Sequence, residues 1–94
     1  MGFRFEWDEE KALENLRKHG ISFSEASTVF ADPLSRTIPD PLHSQAEERV
    51  IILGESGLQH TLVVVHTYRE EVVRIISARH ATARERKDYE RATE

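Results

Sequence analysis

Cysteine is absent from the 94-residue sequence, which removes disulfide frameworks, thiolate metal sites and a cysteine nucleophile together. A reducing compartment suits such a chain, and the cytoplasm is the expected location. Long apolar runs are missing too: none approaches the ~20 residues a membrane helix needs. The opening Met1-Gly2-Phe3-Arg4-Phe5-Glu6 lacks the charged-then-apolar layout of a signal peptide. The chain is therefore expected to be soluble, with no membrane partner. Only four glycines occur, and none builds a Gly-rich phosphate loop or a G-x-S-x-G elbow. H-E-x-x-H is also lacking, so the common cofactor, hydrolase and zinc-protease readings drop out. His19, His43, His60, His66 and His80 show no H-x-H or i, i+4 pairing, and neither a metal nor a cofactor is expected.

What is present fits one domain over residues 1–94, near the small end of what buries a workable core without staples. The formal net charge of −4 weighs against a nucleic-acid partner, because phosphate binding relies on Lys and Arg displacing counterions. The charge is uneven, however. Residues 1–57 carry 6 basic against 11 acidic side chains, whereas residues 58–94 carry 7 against 6. An acidic scaffold with a locally basic edge has this distribution, and so do two ordinary solvated surfaces.

Along the chain, Phe3-Arg4-Phe5-Glu6-Trp7 alternates as a half-buried strand does. Asp8 is a good N-cap for a helix to His19, with Gly20 as its left-handed stop. The apolar stripe of that helix reads as Ala12, Leu13 and Leu16. Ser22 and Glu25 make a capping box for a second helix to Phe30. Leu34 to Ile38 reads as a short strand, broken by Pro39-Asp40-Pro41 and followed by a loop through Leu42-His43-Ser44. Arg49 to Leu53, His60 to Tyr68 and Val72 to Arg79 read as strands joined too tightly for crossover helices, hence antiparallel. Thr82-x-x-Glu85 is a third capping box, opening a last helix from Ala83 to about Ala92. The expected class is α+β, with two N-terminal helices packed on an antiparallel sheet of four to five strands and a C-terminal helix.

Function is expected where the last strand hands over to the last helix, since strand ends aim side chains from a rigid support. Arg49, His66, Arg69, Arg74, Arg79, His80, Arg84 and Arg86 lie on or beside the meander, with Tyr89 close by in sequence. Alternation places Ser77 and Arg79 on a face opposite to Arg74, Ala78 and His80. Guanidinium forks match phosphate oxygens, an imidazole moves protons near neutral pH and an aromatic ring stacks a base. Equally, surface arginines decorate sheet edges and one histidine fills a core gap.

The ordered set of residues breaks that tie. Phe5-Glu6-Trp7-Asp8 with Lys11 and Asn15, Lys18-His19-Gly20 with Phe23, Ala26 and Phe30, then Asp40 with His43-Ser44 and Glu48-Arg49, are followed by Gly54. Val63-Val64-Val65 with Thr67 and Arg69 comes next, and the set closes on Arg74-Ile75-Ile76-Ser77-Ala78-Arg79, Ala81, Glu85-Arg86 and Tyr89-Glu90. In this order the chain resembles the BrnT toxins of bacterial type II toxin–antitoxin systems. It departs from their pattern at Glu70, where Gly is frequent, and at His66, where Tyr is common.

The resemblance implies a RelE-like fold and ribonuclease activity that shuts down translation; since no metal-ligand spacing is present and the ribose 2′-OH can attack the adjacent phosphate without a metal, a metal-independent endoribonuclease is expected. It further implies a BrnA-type ribbon-helix-helix antitoxin, bound as a 2:2 heterotetramer that reaches operator DNA only through the antitoxin. By position, Arg69, Arg79 and Tyr89 resemble the catalytic residues of RelE-like toxins, with Arg49 and His66 as further catalytic candidates. Lys11, Arg74, His80, Arg84 and Arg86 are candidates for RNA binding. The competing expectation is a non-catalytic module partnering a ribbon-helix-helix DNA-binding protein.

Overall fold

A computed structural model describes residues 3–39 and 48–92 of the chain. Arg4–Glu6 forms strand β1, and Asp8 ends it by turning its carboxylate onto the N–H groups of Glu10 (2.8 Å) and Lys11 (3.2 Å), which starts helix α1, Glu9–His19. Gly20 closes α1 at φ +74°, donating its N–H to the Leu16 carbonyl at 2.8 Å. Ser22 Oγ accepts the Glu25 N–H at 3.0 Å and opens α2, Phe23–Thr28. Helical geometry then tightens into a 3₁₀ turn, Val29–Ala31, so the regular α-helix stops short of the expected Phe30. Strands β2 (Arg36–Pro39), β3 (Val50–Glu55), β4 (Thr61–Arg69) and β5 (Val72–His80) follow, and α3 is Ala83–Ala92. Pro39 ends β2 at the sheet's edge, where a missing N–H leaves no central ladder broken. The loop expected through Asp40-Pro41-Leu42-His43-Ser44 lies outside the described residues.

The strands run in the order β1-β5-β4-β3-β2. From β2 to β5 every neighbour is antiparallel, as the short connections require. β1 instead joins the outer edge of β5 in parallel, Phe5 opposite Val73, which makes the sheet mixed. α1 and α2 cover one face. Ile21, Phe23, Ala26 and Val29 of the helical layer meet Ile52, Leu62, Val64, Ile75 and Ala78 of the sheet, with Phe5, Trp7 and Phe30 packed around them. Gly54 sits where that layer crosses β3; a Cβ there would lie 2.9 Å from Ser35 Cβ and 3.0 Å from Val29 Cγ1. Among the described residues no helix is long and apolar enough to cross a membrane.

Two expectations about side-chain direction fail. The apolar stripe of α1 is not its buried face: Leu13 and Leu16 are 61% and 47% exposed, while Asn15 is buried. Because β1 spans three residues, it leaves the outer edge of β5 unpaired beyond Arg74. Asn15 fills that gap. Its amide nitrogen donates to the carbonyls of Ala78 (2.8 Å) and Ile21 (2.9 Å), and its oxygen accepts the Ala78 N–H (3.1 Å), as a neighbouring strand would. The second failure concerns Arg74. Val65 pairs with Ser77 and His66 with Ile75, so Ile76 is a bulge that resets the alternation. Arg74 therefore shares a face with Ser77 and Arg79 instead of opposing them.

The β4–β5 turn holds Glu70 at φ +57°, a left-handed conformation that costs a residue with a Cβ roughly 1 kcal/mol. Glu70→Gly is expected to raise stability by about 1 kcal/mol in urea denaturation. An unchanged or lower midpoint would show that the Glu70 side chain compensates its own strain.

Candidate functional site

The sheet face away from α1 and α2 carries the arginines. Register puts Arg69, Arg74 and Arg79 on it together, flanking β5, with Arg36 at the far side. They do not converge. Arg69 pairs with Val72 and Arg79 with Val63, so the two lie at opposite ends of β5, roughly 20 Å apart at ~3.3 Å per residue. At one end Glu6 serves two of them, 3.0 Å from Arg74 Nη1 and 4.0 Å from Arg69 Nη1. Arg69 is largely exposed, so its longer contact is a weak tie.

At the other end Arg79 grips Glu85 with both fork nitrogens, at 2.8 and 2.9 Å, while Nη1 also reaches the His80 carbonyl at 3.2 Å. Glu85 is the return arm of the capping box: its Oε1 accepts the Thr82 N–H at 2.8 Å, and its own N–H donates to Thr82 Oγ1 at 3.1 Å. The Arg79 fork, outweighing burial, holds the Glu85 carboxyl down at about 2. Its contribution to stability is complete above the ordinary 4.5 and fades as pH falls toward 2.

The remaining candidates are dispersed. Tyr89 is buried, and its hydroxyl donates to Asp32 Oδ2 at 2.6 Å. Burial and the Asp32 carboxylate push that hydroxyl's titration above its ordinary 10. Burial alone would raise the Asp32 carboxyl, but the Glu55 N–H, the Tyr89 hydroxyl and the Leu34 N–H together hold it below the usual range. Tyr89 thus fastens α3 to the turn before β2. Arg49 stands half-buried just before β3, Lys11 is exposed on α1 in the opposite layer, and Arg84 and Arg86 are exposed on α3. His80 faces the helical side of the rim, paired with Leu62.

His66 is fully buried, edge-on to Phe30 at 4.7 Å and to Tyr68 at 5.2 Å. Its Nδ1 meets the Val64 carbonyl at 3.2 Å and, among the described residues, its Nε2 has no hydrogen-bond partner. Burial pushes His66 below its ordinary 6.5, only partly countered by that carbonyl. The unfolded chain then takes the proton first, and stability falls as pH drops through 6.5. Between pH 7.5 and 5.5 the loss is expected to be about 1 kcal/mol, and His66→Leu should remove that slope in urea titrations at the two pH values. An equal slope in the variant would locate the titration elsewhere.

One cluster escaped the sequence reading. The buried Glu25 of α2 accepts hydrogen bonds through Oε2 from Ser56 Oγ and His60 Nδ1, both at 2.7 Å. The His60 ring meets that of His80 edge-on at 5.2 Å. Glu25 and His60 are thirty-five residues apart, and no spacing rule joins them. The available clue was a carboxylate interrupting the buried face of Phe23, Ala26 and Val29. Among the described residues no three His, Asp or Glu side chains are grouped to hold a metal ion.

Beside the arginines, Ile38, Ile51, Leu53 and Val63 floor a cleft of about 260 Å³ that Glu85 and Asp88 of α3 also line. The face thus combines a row of guanidinium groups with an apolar cleft, of which Ile38 is the exposed member. A search of curated proteins finds no match. The crystal structure of the Brucella abortus ribonuclease toxin BrnT superposes with a TM-score of 0.67 at 22% identity, covering 85% of this chain and 97% of that one. That likeness establishes the fold. The family model described as the ribonuclease toxin BrnT of type II toxin–antitoxin systems matches residues 7–85, and with that span the chain belongs to the BrnT family of ribonuclease toxins.

Proposed function

We propose that the chain is a cytoplasmic endoribonuclease that cleaves RNA without a metal ion and thereby stops translation. What carries the reading is the family match over residues 7–85; the row of Arg69, Arg74 and Arg79 on one open face supports it. Guanidinium groups spread along β5 suit successive phosphates of an extended single strand better than one clamped phosphate. In this reading Arg79, at the strand-to-helix junction, takes the scissile phosphate, and Arg69 and Arg74 hold flanking ones. Arg84 and Arg86 extend the basic surface. Cleavage follows attack of a ribose 2′-OH on the adjacent phosphorus, with Arg79 neutralising charge that grows on the phosphorane.

The partner in this reading is a BrnA-type ribbon-helix-helix antitoxin, with two toxin chains flanking an antitoxin dimer. The complex meets operator DNA through the antitoxin alone. The half-exposed Ile38 and the cleft beside it offer apolar surface for such a lid. Expression of the chain alone should arrest growth with loss of cellular RNA, co-expression of the antitoxin should relieve it, and the purified chain should cleave RNA in EDTA. Light scattering of the co-purified pair should give a 2:2 mass. Arrest without RNA cleavage would favour a binding module that acts through its partner.

A further inference from the structure

We propose that His60 and His80 are the proton-transfer pair of RNA cleavage, with the buried Glu25 as the positioning residue behind His60. The inference rests on the ribonuclease reading above and adds to it the acid and the base that arginines do not supply. Cleavage through the 2′-OH needs an acceptor for that proton and a donor for the leaving 5′-oxygen. Three other residues with suitable chemistry are placed for other tasks. His66 is sealed beneath Phe30. The Tyr89 hydroxyl is buried and donated to Asp32. His19 closes the last turn of α1.

His60 differs from these in being anchored on one side and open on the other. Glu25 Oε2 takes its Nδ1 at 2.7 Å, which assigns the proton to Nδ1 and leaves Nε2 as an acceptor. The His60 side chain is 45% exposed, whereas that of Glu25 is 7% exposed, so the carboxylate is fixed and the imidazole edge faces solvent. Ser56 Oγ donates to the same Oε2, and Ser56 also ties the turn through its bonds to the N–H groups of Leu58 and His60. Ordering a ring through a buried carboxylate is how an enzyme sets the tautomer of a general base. Beside it, the exposed His80 completes the pair at 5.2 Å between ring centres. Glu25 from α2 and His80 from β5 are the titratable groups in contact with His60 among the described residues.

Position in the fold links the pair to the phosphate clamp. Arg79 and His80 are consecutive at the end of β5 and point to opposite faces. The Arg79 guanidinium lies at the strand end, with Nη1 donating to the His80 carbonyl at 3.2 Å. In the proposed arrangement a phosphodiester crossing this rim would meet a fixed positive charge on one face and two imidazoles on the other. In the reaction His60 Nε2 takes the 2′-OH proton as the O2′–P bond forms. Protonated His80 gives its proton to O5′ as the P–O5′ bond breaks. The products are a 2′,3′-cyclic phosphate and a 5′-hydroxyl, with one proton moved from His80 to the leaving group and one from substrate to His60.

The test uses the purified full chain, a labelled RNA oligonucleotide and His60→Gln, His80→Gln and Glu25→Gln variants. Each histidine variant is expected to lose roughly 10²-fold or more in kcat. His60→Gln should flatten the acid limb of the pH–rate profile and His80→Gln the alkaline limb. A substrate with sulfur replacing the bridging 5′-oxygen, whose departure needs no proton, should rescue His80→Gln and leave His60→Gln slow. Glu25→Gln keeps the hydrogen bond without the charge and should lower kcat with KM unchanged. If the parent cleaves RNA while both histidine variants keep its rate and its profile, the pair has only a structural role and the inference is overturned. If the parent cleaves no RNA under any condition, the ribonuclease reading fails and takes the inference with it.

Discussion

Asn15→Leu is expected to destabilise the protein by about 3–5 kcal/mol, although leucine has the branching and heavy-atom count of asparagine and suits a helix better. The Asn15 amide is the buried link between α1, the residue after Gly20 and the unpaired edge of β5, with three hydrogen bonds of 2.8 to 3.1 Å. Leucine would leave the Ile21 and Ala78 carbonyls and the Ala78 N–H without partners in the interior, each costing about 1–3 kcal/mol of desolvation. Apolar gain offsets part of that, since a buried leucine contributes roughly 2 kcal/mol. A domain of this size commonly has about 5–15 kcal/mol in all, so the variant should sit near the edge of folding. Trp7, the chain's single tryptophan, packs on Phe23 at 5.9 Å and reports the transition by fluorescence. A midpoint in urea within 1 kcal/mol of the parent's would mean that the strand edge finds water or another partner, and that Asn15 is not what closes it.

Asn15 also marks the line between what could and could not be read in the chain. Caps were legible because their chemistry is local: Asp8, Gly20 and the reciprocal Thr82–Glu85 pair behave as their spacing requires, whereas the Ser22–Glu25 box forms by half, Ser22 capping the Glu25 N–H while the Glu25 carboxylate turns to Ser56 and His60. The meander was legible because its β-branched runs and short turns leave antiparallel pairing as the available arrangement. The burial of α1 was not, because periodicity counts apolar residues and treats a buried amide as solvated. Two of the three bonds that make its burial favourable go to the β5 edge, sixty-three residues away. The parallel docking of β1 depends on an equally distant partner.

The site divides in the same way. That a basic row belongs to the final strands was readable; that Arg74 joins Arg79 on one face was not, since a single bulge at Ile76 inverts the alternation. The family pattern placed Arg69 and Arg79 together by role, and only the register separates them along β5. Glu25, Ser56 and His60 are held by side-chain contacts across 31 and 35 residues, which no motif spacing encodes. Tyr89 sits near Arg79 in sequence, yet its hydroxyl bonds to Asp32, 57 residues upstream. Proximity in sequence located the neighbourhood of the site, while tertiary hydrogen bonds decided which groups in it remain available.

Arg79→Ala is expected to lower RNA cleavage by roughly 10²- to 10³-fold, the usual cost of removing one preorganised charge donor from a transition state. The complication is that Arg79 already has a partner. Its fork engages Glu85, and that carboxylate completes the cap of α3, so removing the guanidinium also loosens a helix end. The contribution of the ion pair to stability is modest, about 1 kcal/mol, because both side chains are a third or more exposed. Glu85→Gln separates the two roles. Glutamine still accepts the Thr82 N–H in the capping box, but it releases Arg79 from its counter-charge. If Arg79 grips phosphate, Glu85→Gln should cleave as fast as the parent or faster, since the guanidinium no longer exchanges a carboxylate for the substrate. Arg79→Lys, which keeps the charge without the fork, should fall between parent and alanine variant. Thermal melts of all three would confirm that they are folded at the assay temperature. Equal loss of cleavage in Arg79→Ala and Glu85→Gln would mean that the pair matters only for holding α3 in place, and Arg79 would have to be withdrawn as the phosphate clamp.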